Sequence, residues 1–318
     1  METAANITQW LLFFLFFLSS ELLFSRLLSI DSHCVIFVFF LSVSVLQSFP
    51  FESRSYPLLW TGAYSEQERY TQEDMADVVE YARQRGIRVV VEFDVPGHAE
   101  SWCTGYPDVC PSVTCPVPLD PSTENIFNLM KGVWGEVTGN VTGGGLFPDN
   151  YIHLGGDEVD TTCWTNTPRI QQWLTEQKMS GDDAYMYIVE RAHQIVQSMQ
   201  RHPINWEEVF LHFGSKLDKN TIIHIWLDHE TLAAVVAAGY RGILSNSDVW
   251  YLDHLQVPWT SFYLNEPYQG ITDPAQQKVG TARGEGRGGG TGDGKARPVG
   301  NCCSTCCFSC CFALSCVF

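Results

Sequence analysis

The sequence predicts an α/β fold in which short apolar strands alternate with amphipathic helices around a parallel sheet. Three observations carry this. Apolar residues recur at helical spacing in several segments, the first being Met75, Val78, Val79 and Ala82. Between these segments lie short β-branched runs such as Ile87–Phe93 (IRVVVEF), which read as strands buried on both faces of a parallel sheet. The chain has 318 residues, 45% of them hydrophobic and 13% aromatic, enough to bury a large core. Strand-then-helix repeats at this spacing leave two architectures, an open doubly wound sheet or a closed barrel. No G-x-G-x-x-G follows any of the strands, and GEGRGG near residue 286 sits in low-complexity sequence.

The elements follow in order. Thr71 caps the first helix, with Glu73 and Asp74 in its first turn, where the helix dipole favours negative charge, and Gly86 ends it. Strand Ile87–Phe93 comes next. Ile126, Met130, Val133, Trp134 and Val137 mark a second helix and Tyr151–Leu154 a second strand. Tyr185, Ile188, Val189, Ala192, Ile195, Val196 and Met199 mark a long third helix. Strands at Pro203–Trp206 and Thr221–Leu227, a helix at Glu230–Ala238 and a strand at Arg241–Ser245 complete the series.

Three regions differ in character: an apolar segment 1–47, a globular segment 48–279 and a tail 280–318. The first holds two apolar runs, Trp10–Phe24 and Cys34–Leu46. No basic residue precedes the first run, and both are short for a ~30 Å hydrocarbon core, so a signal, a membrane anchor and non-native sequence all stay open. The tail is Gly-rich and then Cys-rich, with seven of the chain's twelve cysteines in its last seventeen residues. It cannot bury enough apolar area to order itself, and its CC pairs do not match zinc spacing.

Polar residues gather where the strands end. The first strand runs into Asp94, Gly97 and His98, and the second into Gly155, Gly156, Asp157 and Glu158. The third ends at Trp206, Glu207 and Glu208, the fourth carries His224 and Trp226, and the fifth leads to Trp250, Tyr251 and Asp253. Each has an ordinary reading. Asp157 serves as a helix cap, Glu158 as a surface acid and His98 as a ring bonded to a carbonyl. Trp206 and Trp226 fill core, and Tyr251 is a buried phenol with its hydroxyl satisfied. Acids, His and aromatics at the same end of five consecutive strands are hard to explain by packing, and C-terminal strand ends are where barrel active sites are built. A net charge of −17 argues against a phosphate backbone as partner. Sugar suits the composition better, since its rings stack on the ten Trp and its hydroxyls donate to carboxylates.

HLGGDEVDTTCW, with EFDVPGH upstream and NWEE, HIWL and VWYLDH downstream in that order, strongly resembles glycoside hydrolase family 20, the β-N-acetylhexosaminidases. GYPD…PLDPS and SNSDVWYLDHL look most like the plant-type members. The resemblance spans about Gln47 to Val279. GGDE alone would be weak, because it also opens the cyclase motif GGDEF, but position 159 is Val. The resemblance implies a (β/α)8 TIM barrel of which strands three to seven are recognisable. It also implies retaining hydrolysis of terminal N-acetylglucosamine or N-acetylgalactosamine from β-linked glycans, with the substrate's 2-acetamido oxygen as nucleophile and no cofactor or metal. By position, Glu158 is the general acid and then base, and Asp157 orients the acetamido N–H. His98 bonds Glu158, with Asp94 beside it in the substrate-binding set; Tyr251 donates to the acetamido oxygen, Trp206 and Trp226 wall its pocket, and Asp253 binds outer hydroxyls. Cys163 matches a family disulfide position, with Cys115 as partner. This implies a secretory compartment, lysosome, vacuole or cell exterior, as does the Asn140-Val-Thr glycosylation sequon. Expected partners are β-linked N-acetylhexosamine glycans, a membrane at the apolar N-terminus and a second copy of the chain, but no nucleic acid.

Three further pieces of the family pattern are expected and not seen. The first strand with its Arg, the second strand with its acidic motif, and the eighth with Trp-Gly-Glu do not appear, SVSVL and GTARGEGRGGG standing at the two breaks. With open edges on both sides, the chain as written is expected to be an inactive fragment that is not compact; the alternative, a non-catalytic sugar-binding module, is disfavoured because Asp157, Glu158 and Tyr251 are all retained.

Overall fold

The computed structural model describes residues 35–40, 48–139, 145–251 and 254–280. Strands β1 (Val35–Phe40), β2 (Ile87–Glu92), β3 (Tyr151–His153), β4 (His202–Trp206), β5 (Ile222–Ile225) and β6 (Arg241–Leu244) form one six-stranded sheet in sequence order. Every pairing is parallel. Helices α1 (Gln72–Arg83), α2 (Glu124–Thr138), α3 (Pro168–Gln177), α4 (Gly181–Ser198), α5 (Glu207–Phe213) and α6 (His229–Ala237) lie between the strands in the chain. This is the strand-and-helix order of a (β/α)8 barrel, present in part.

The strand β1 corrects an expectation. Val35–Phe40 lies within the run Cys34–Leu46, set apart above as signal, anchor or non-native sequence. It pairs in parallel with all of β2, from Val35 opposite Ile87 to Phe40 opposite Glu92. The physical reason is the one that identified Ile87–Phe93. A parallel strand needs no polar alternation, and VIFVFF has none. The barrel boundary therefore lies upstream of residue 48. Among the described residues, no helix is long and apolar enough to cross a membrane. The run Trp10–Phe24, the sequon at Asn140 and the tail beyond Gly280 lie outside the described residues.

Local chemistry explains the helix starts. Thr71 and Asp74 form a reciprocal capping box on α1, and Ser180 and Asp183 do the same on α4. The apolar stripe of α2 (Ile126, Met130, Val133, Val137) and that of α4 (Tyr185, Ile188, Ala192, Val196) pack with Val89, Val91, Ile152, Ile223 and Ile225 in one buried cluster. Each such side chain contributes roughly 1.5–3 kcal/mol of burial. Successive strand side chains point to opposite faces, and a second cluster of Val90, Ile204 and Ile222, packed by Tyr151 and Ile243, fills the other face. One residue pair further along the strands, that inner face turns polar. Glu92, His153, Trp206 and His224 stand in adjacent strands at the end where the loops carrying Asp94, His98, Asp157 and Glu158 begin.

Candidate active site

The turn after β3 is held from three directions. Gly155 and Gly156 take φ of +64° and +96°, the region only glycine adopts without strain. The Gly156 N–H donates to Asp94 Oδ1 at 2.9 Å, from the loop after β2. The Asn205 amide on β4 donates to Gly155 O at 3.0 Å, and its own oxygen lies 2.7 Å from His193 Nε2 on α4. The Tyr185 hydroxyl, also on α4, donates to Gly156 O. Asp157 and Glu158 leave this fixed turn in different directions, one inward and one outward. The Asp157 side chain is 15% exposed and that of Glu158 58%. Glu158 (φ +51°) and His98 (φ +46°) both hold the left-handed conformation that non-glycine residues avoid, as is common where a site is preorganised.

His98 joins the two acids. Its Nε2 lies 3.4 Å from Asp157 Oδ2 and 3.3 Å from Glu158 Oε2. The hydrogen bond to Asp157 raises the His98 pKa despite partial burial, and the charges of Asp157, Glu158 and Glu92 add to it. For Asp157, burial pushes upward, but the bonds from His98 and Asp94 outweigh it and hold the carboxyl below its ordinary range. Asp94, fully enclosed, moves the other way. Burial first, then the charges of Asp157 and Glu92, carry its carboxyl well above the usual value. The two neighbouring carboxyls are thus driven apart, Asp94 upward and Asp157 downward. Asp157 Oδ1 is buried without a hydrogen-bond partner among the described residues. Asp94, His98 and Asp157 bring one ligand atom each within 4.8 Å of one another, yet their mutual bonds describe a proton-sharing cluster.

Beneath them lies a buried polar row. Glu92 Oε1 accepts the Trp206 indole N–H at 3.0 Å and sits 3.3 Å from His153 Nδ1. His153 Nε2 is 3.2 Å from His224 Nδ1, and His224 Nε2 is 2.6 Å from Ser245 Oγ. Burial raises Glu92 and, with His153 beside it, drives His224 well below its ordinary pKa. Trp206, nearly buried, stacks on His224 with centroids 4.2 Å apart. Trp226, at the end of β5, is partly exposed and stacks on Tyr251 at 6.2 Å and 24°. Its indole N–H donates to both oxygens of Glu208, whose pKa burial pushes up to about 7. Asp253 lies outside the described residues.

Six predicted site residues (Asp94, His98, Asp157, Glu158, Trp226, Tyr251) thus stand at successive strand ends, with Trp206 in the layer below. Glu92, His153 and Glu208 were not singled out as site residues. A lone acid in IRVVVEF and a lone His in YIHL were the available signals, since charge inside a buried strand demands a partner. Cys115 and Cys163 form a disulfide tying the loop after β2 to the helix Thr162–Asn166 that follows the Gly155–Glu158 turn. A second bridge joins Cys103 to Cys110. A cleft of about 590 Å³ opens by that second bridge, lined by Asp108, Asp120 and Arg169, and touches neither Asp157 nor Glu158. Its Arg169 already bonds Asp120 and the carbonyls of Cys110 and Pro111, so it reads as structure.

Comparison with known proteins agrees with this arrangement. The family model for the glycosyl hydrolase family 20 catalytic domain matches residues 32–282, beginning upstream of β1. Beta-hexosaminidase 3 of Arabidopsis thaliana is 51% identical over 73% of this chain and 42% of its own length. The alpha subunit of the Bos taurus beta-hexosaminidase is 37% identical over 73% of this chain and 46% of its own length. The chain thus spans less than half the length of these relatives. Among solved structures, a Flavobacterium johnsoniae chitobiase superposes with a TM-score of 0.65 at 29% identity, covering 77% of this chain and 38% of that one. The Vibrio harveyi exo β-N-acetylglucosaminidase, solved in complex with N-acetylglucosamine, has the same fold at a TM-score of 0.66 and 22% identity, covering 78% of this chain and 44% of that one. On the family model, the related sequences and the strand order together, the chain belongs to glycosyl hydrolase family 20.

Proposed function

We propose that this protein is a retaining β-N-acetylhexosaminidase that removes terminal N-acetylglucosamine or N-acetylgalactosamine from β-linked glycans. The observation that carries the reading is the asymmetry of the acid pair: an enclosed Asp157, one oxygen of which has no hydrogen-bond partner among the described residues, next to an outward Glu158, both touching His98. Glu158 donates its proton to the glycosidic oxygen as the C1–O bond breaks, and the 2-acetamido oxygen closes on C1 to give an oxazolinium ion. Asp157 Oδ1 accepts the acetamido N–H and stabilises the positive charge. Glu158, now a carboxylate, takes a proton from water, which opens the ring at C1 with net retention. Trp226 and Tyr251 flank the acetamide, and His98 holds Glu158. The two disulfides suit an oxidising, secretory compartment.

The test is hydrolysis of a chitobiose-type substrate with an unactivated leaving group. Glu158→Gln should cut kcat by about 10²–10⁴-fold, and substrates with a good leaving group should lose less in the first step. Near-native turnover of chitobiose by Glu158→Gln would remove Glu158 from the acid's role.

A further inference from the structure

Two successive glutamates at the start of α5 grip one tryptophan. Glu207, fully buried, accepts the backbone N–H of Trp226 at 2.8 Å and that of Leu227 on the same oxygen. Glu208 accepts the Trp226 indole N–H on both oxygens, at 3.1 and 3.0 Å. The first bond pair sets where the end of β5 lies, and the second sets how the ring turns about its own side-chain torsions. No other hydrogen bond to the Trp226 indole occurs among the described residues, and its face lies against Tyr251.

The position of Glu208 is costly. A largely buried carboxylate loses hydration that one indole N–H does not fully replace. Burial, with the nearby charges of Asp157 and Glu207, therefore raises its pKa to about 7 against the lowering effect of the indole bond. An apolar side chain would fill the same space without that cost, so a polar acceptor at this position is explained by the indole it holds. A tryptophan locked on its edge makes a rigid pocket wall, and rigid walls discriminate by size. One methylene in an apolar pocket is worth about 10–200-fold in selectivity.

We propose that Glu208 is a positioning residue that locks the Trp226 ring and thereby restricts the substrate's 2-acyl group to acetyl. The inference rests on the hydrolase reading for its substrate and on the Glu208–Trp226 bond for its mechanism. Gln at position 208 retains one acceptor oxygen for the indole, and Ala retains none.

The experiment compares native protein, Glu208→Gln and Glu208→Ala on chromogenic β-glycosides of N-acetyl- and N-butyryl-glucosamine. Glu208→Ala should raise KM for the acetyl substrate about tenfold, with a smaller change in kcat, and shift kcat/KM toward the butyryl substrate by about tenfold. Glu208→Gln should keep the native preference. Unchanged acyl preference in Glu208→Ala, or an equal fall in kcat on both substrates, would overturn the proposal. A second measurement needs no turnover: the Trp226 indole N–H resonance of the native protein, assigned by Trp226→Phe. It should exchange slowly with solvent deuterium, and should still do so in Glu208→Gln. Fast exchange in the native protein would defeat the lock even where hydrolysis proceeds. Slow exchange in a protein that hydrolyses neither glycoside would instead defeat the hydrolase reading and leave the lock standing.

Discussion

Glu208 illustrates how a single residue records the tension between folding and function. An acid whose pKa is raised in the folded state, here to about 7, keeps its proton after the unfolded chain has lost it. Between about pH 4.5 and 7 the unfolded state then binds fewer protons, so stability falls as pH rises through that window. Gln does not titrate. The melting temperature of Glu208→Gln relative to the native protein should therefore rise between pH 5 and pH 8, by an amount equivalent to about 1–3 kcal/mol. Parallel melts at the two pH values check this, and a pH-independent difference would mean Glu208 ionises normally. Asp94 and Asp157 share the same logic in opposite directions. Burial raises Asp94, whereas Asp157, though burial pushes it upward too, is carried lower by the bonds from His98 and Asp94.

At the scale of elements, the turn between β3 and the helix Thr162–Asn166 is the part with least freedom. A Cβ built on Gly155 would lie 1.7 Å from Asp94 Oδ1, and its φ of +64° already disfavours any side chain. Gly155→Ala would displace Asp94 from the Gly156 N–H and disturb the turn from which Asp157 and Glu158 project. We expect it to destabilise by about 2–4 kcal/mol and to reduce kcat far more than KM for an activated substrate. Thermal melting with steady-state kinetics decides, and native kcat in a folded Gly155→Ala protein would show that the turn tolerates movement. The grip from Asn205, His193 and Tyr185 works toward the same end, because it ties β4 and α4 to the carbonyls of the turn.

At the scale of the molecule, long-range ties replace local ones. The Cys115–Cys163 bridge, with a sequence separation of 48, links loops that follow different strands. On the chain-entropy account such a closure contributes roughly 3–4 kcal/mol. Replacing both cysteines by Ser should lower the melting temperature by several degrees, whereas doing the same at Cys103 and Cys110, separated by only 7, should cost less. Calorimetry of the two double variants gives the comparison, and equal losses would mean that loop length is not what matters here. The parallel sheet has a similar logic. Its six strands are joined only through helical crossovers, so each pairing depends on helices such as α2 and α4 covering the outer face.

Much of this was legible in the order of residues. Apolar periodicity located α1, α2, α4 and α6, β-branched runs located β2 to β5, and the polar residues that follow marked the site end of the sheet. These are local properties, set by the periods of helix and strand and by which residues tolerate a turn. VIFVFF is ambiguous in sequence, because a run with no polar alternation looks alike as an anchor, a signal or a parallel strand. Only its pairing with β2 separates them. The division of labour among the acids was likewise decided by the tertiary structure. Asp94, Asp157, Glu158 and Glu208 are the same two chemical types, and no spacing tells which is enclosed, which is paired with His98 and which accepts an indole N–H. Desolvation and neighbouring charge set those differences, and both arise only when strands distant in sequence are brought side by side.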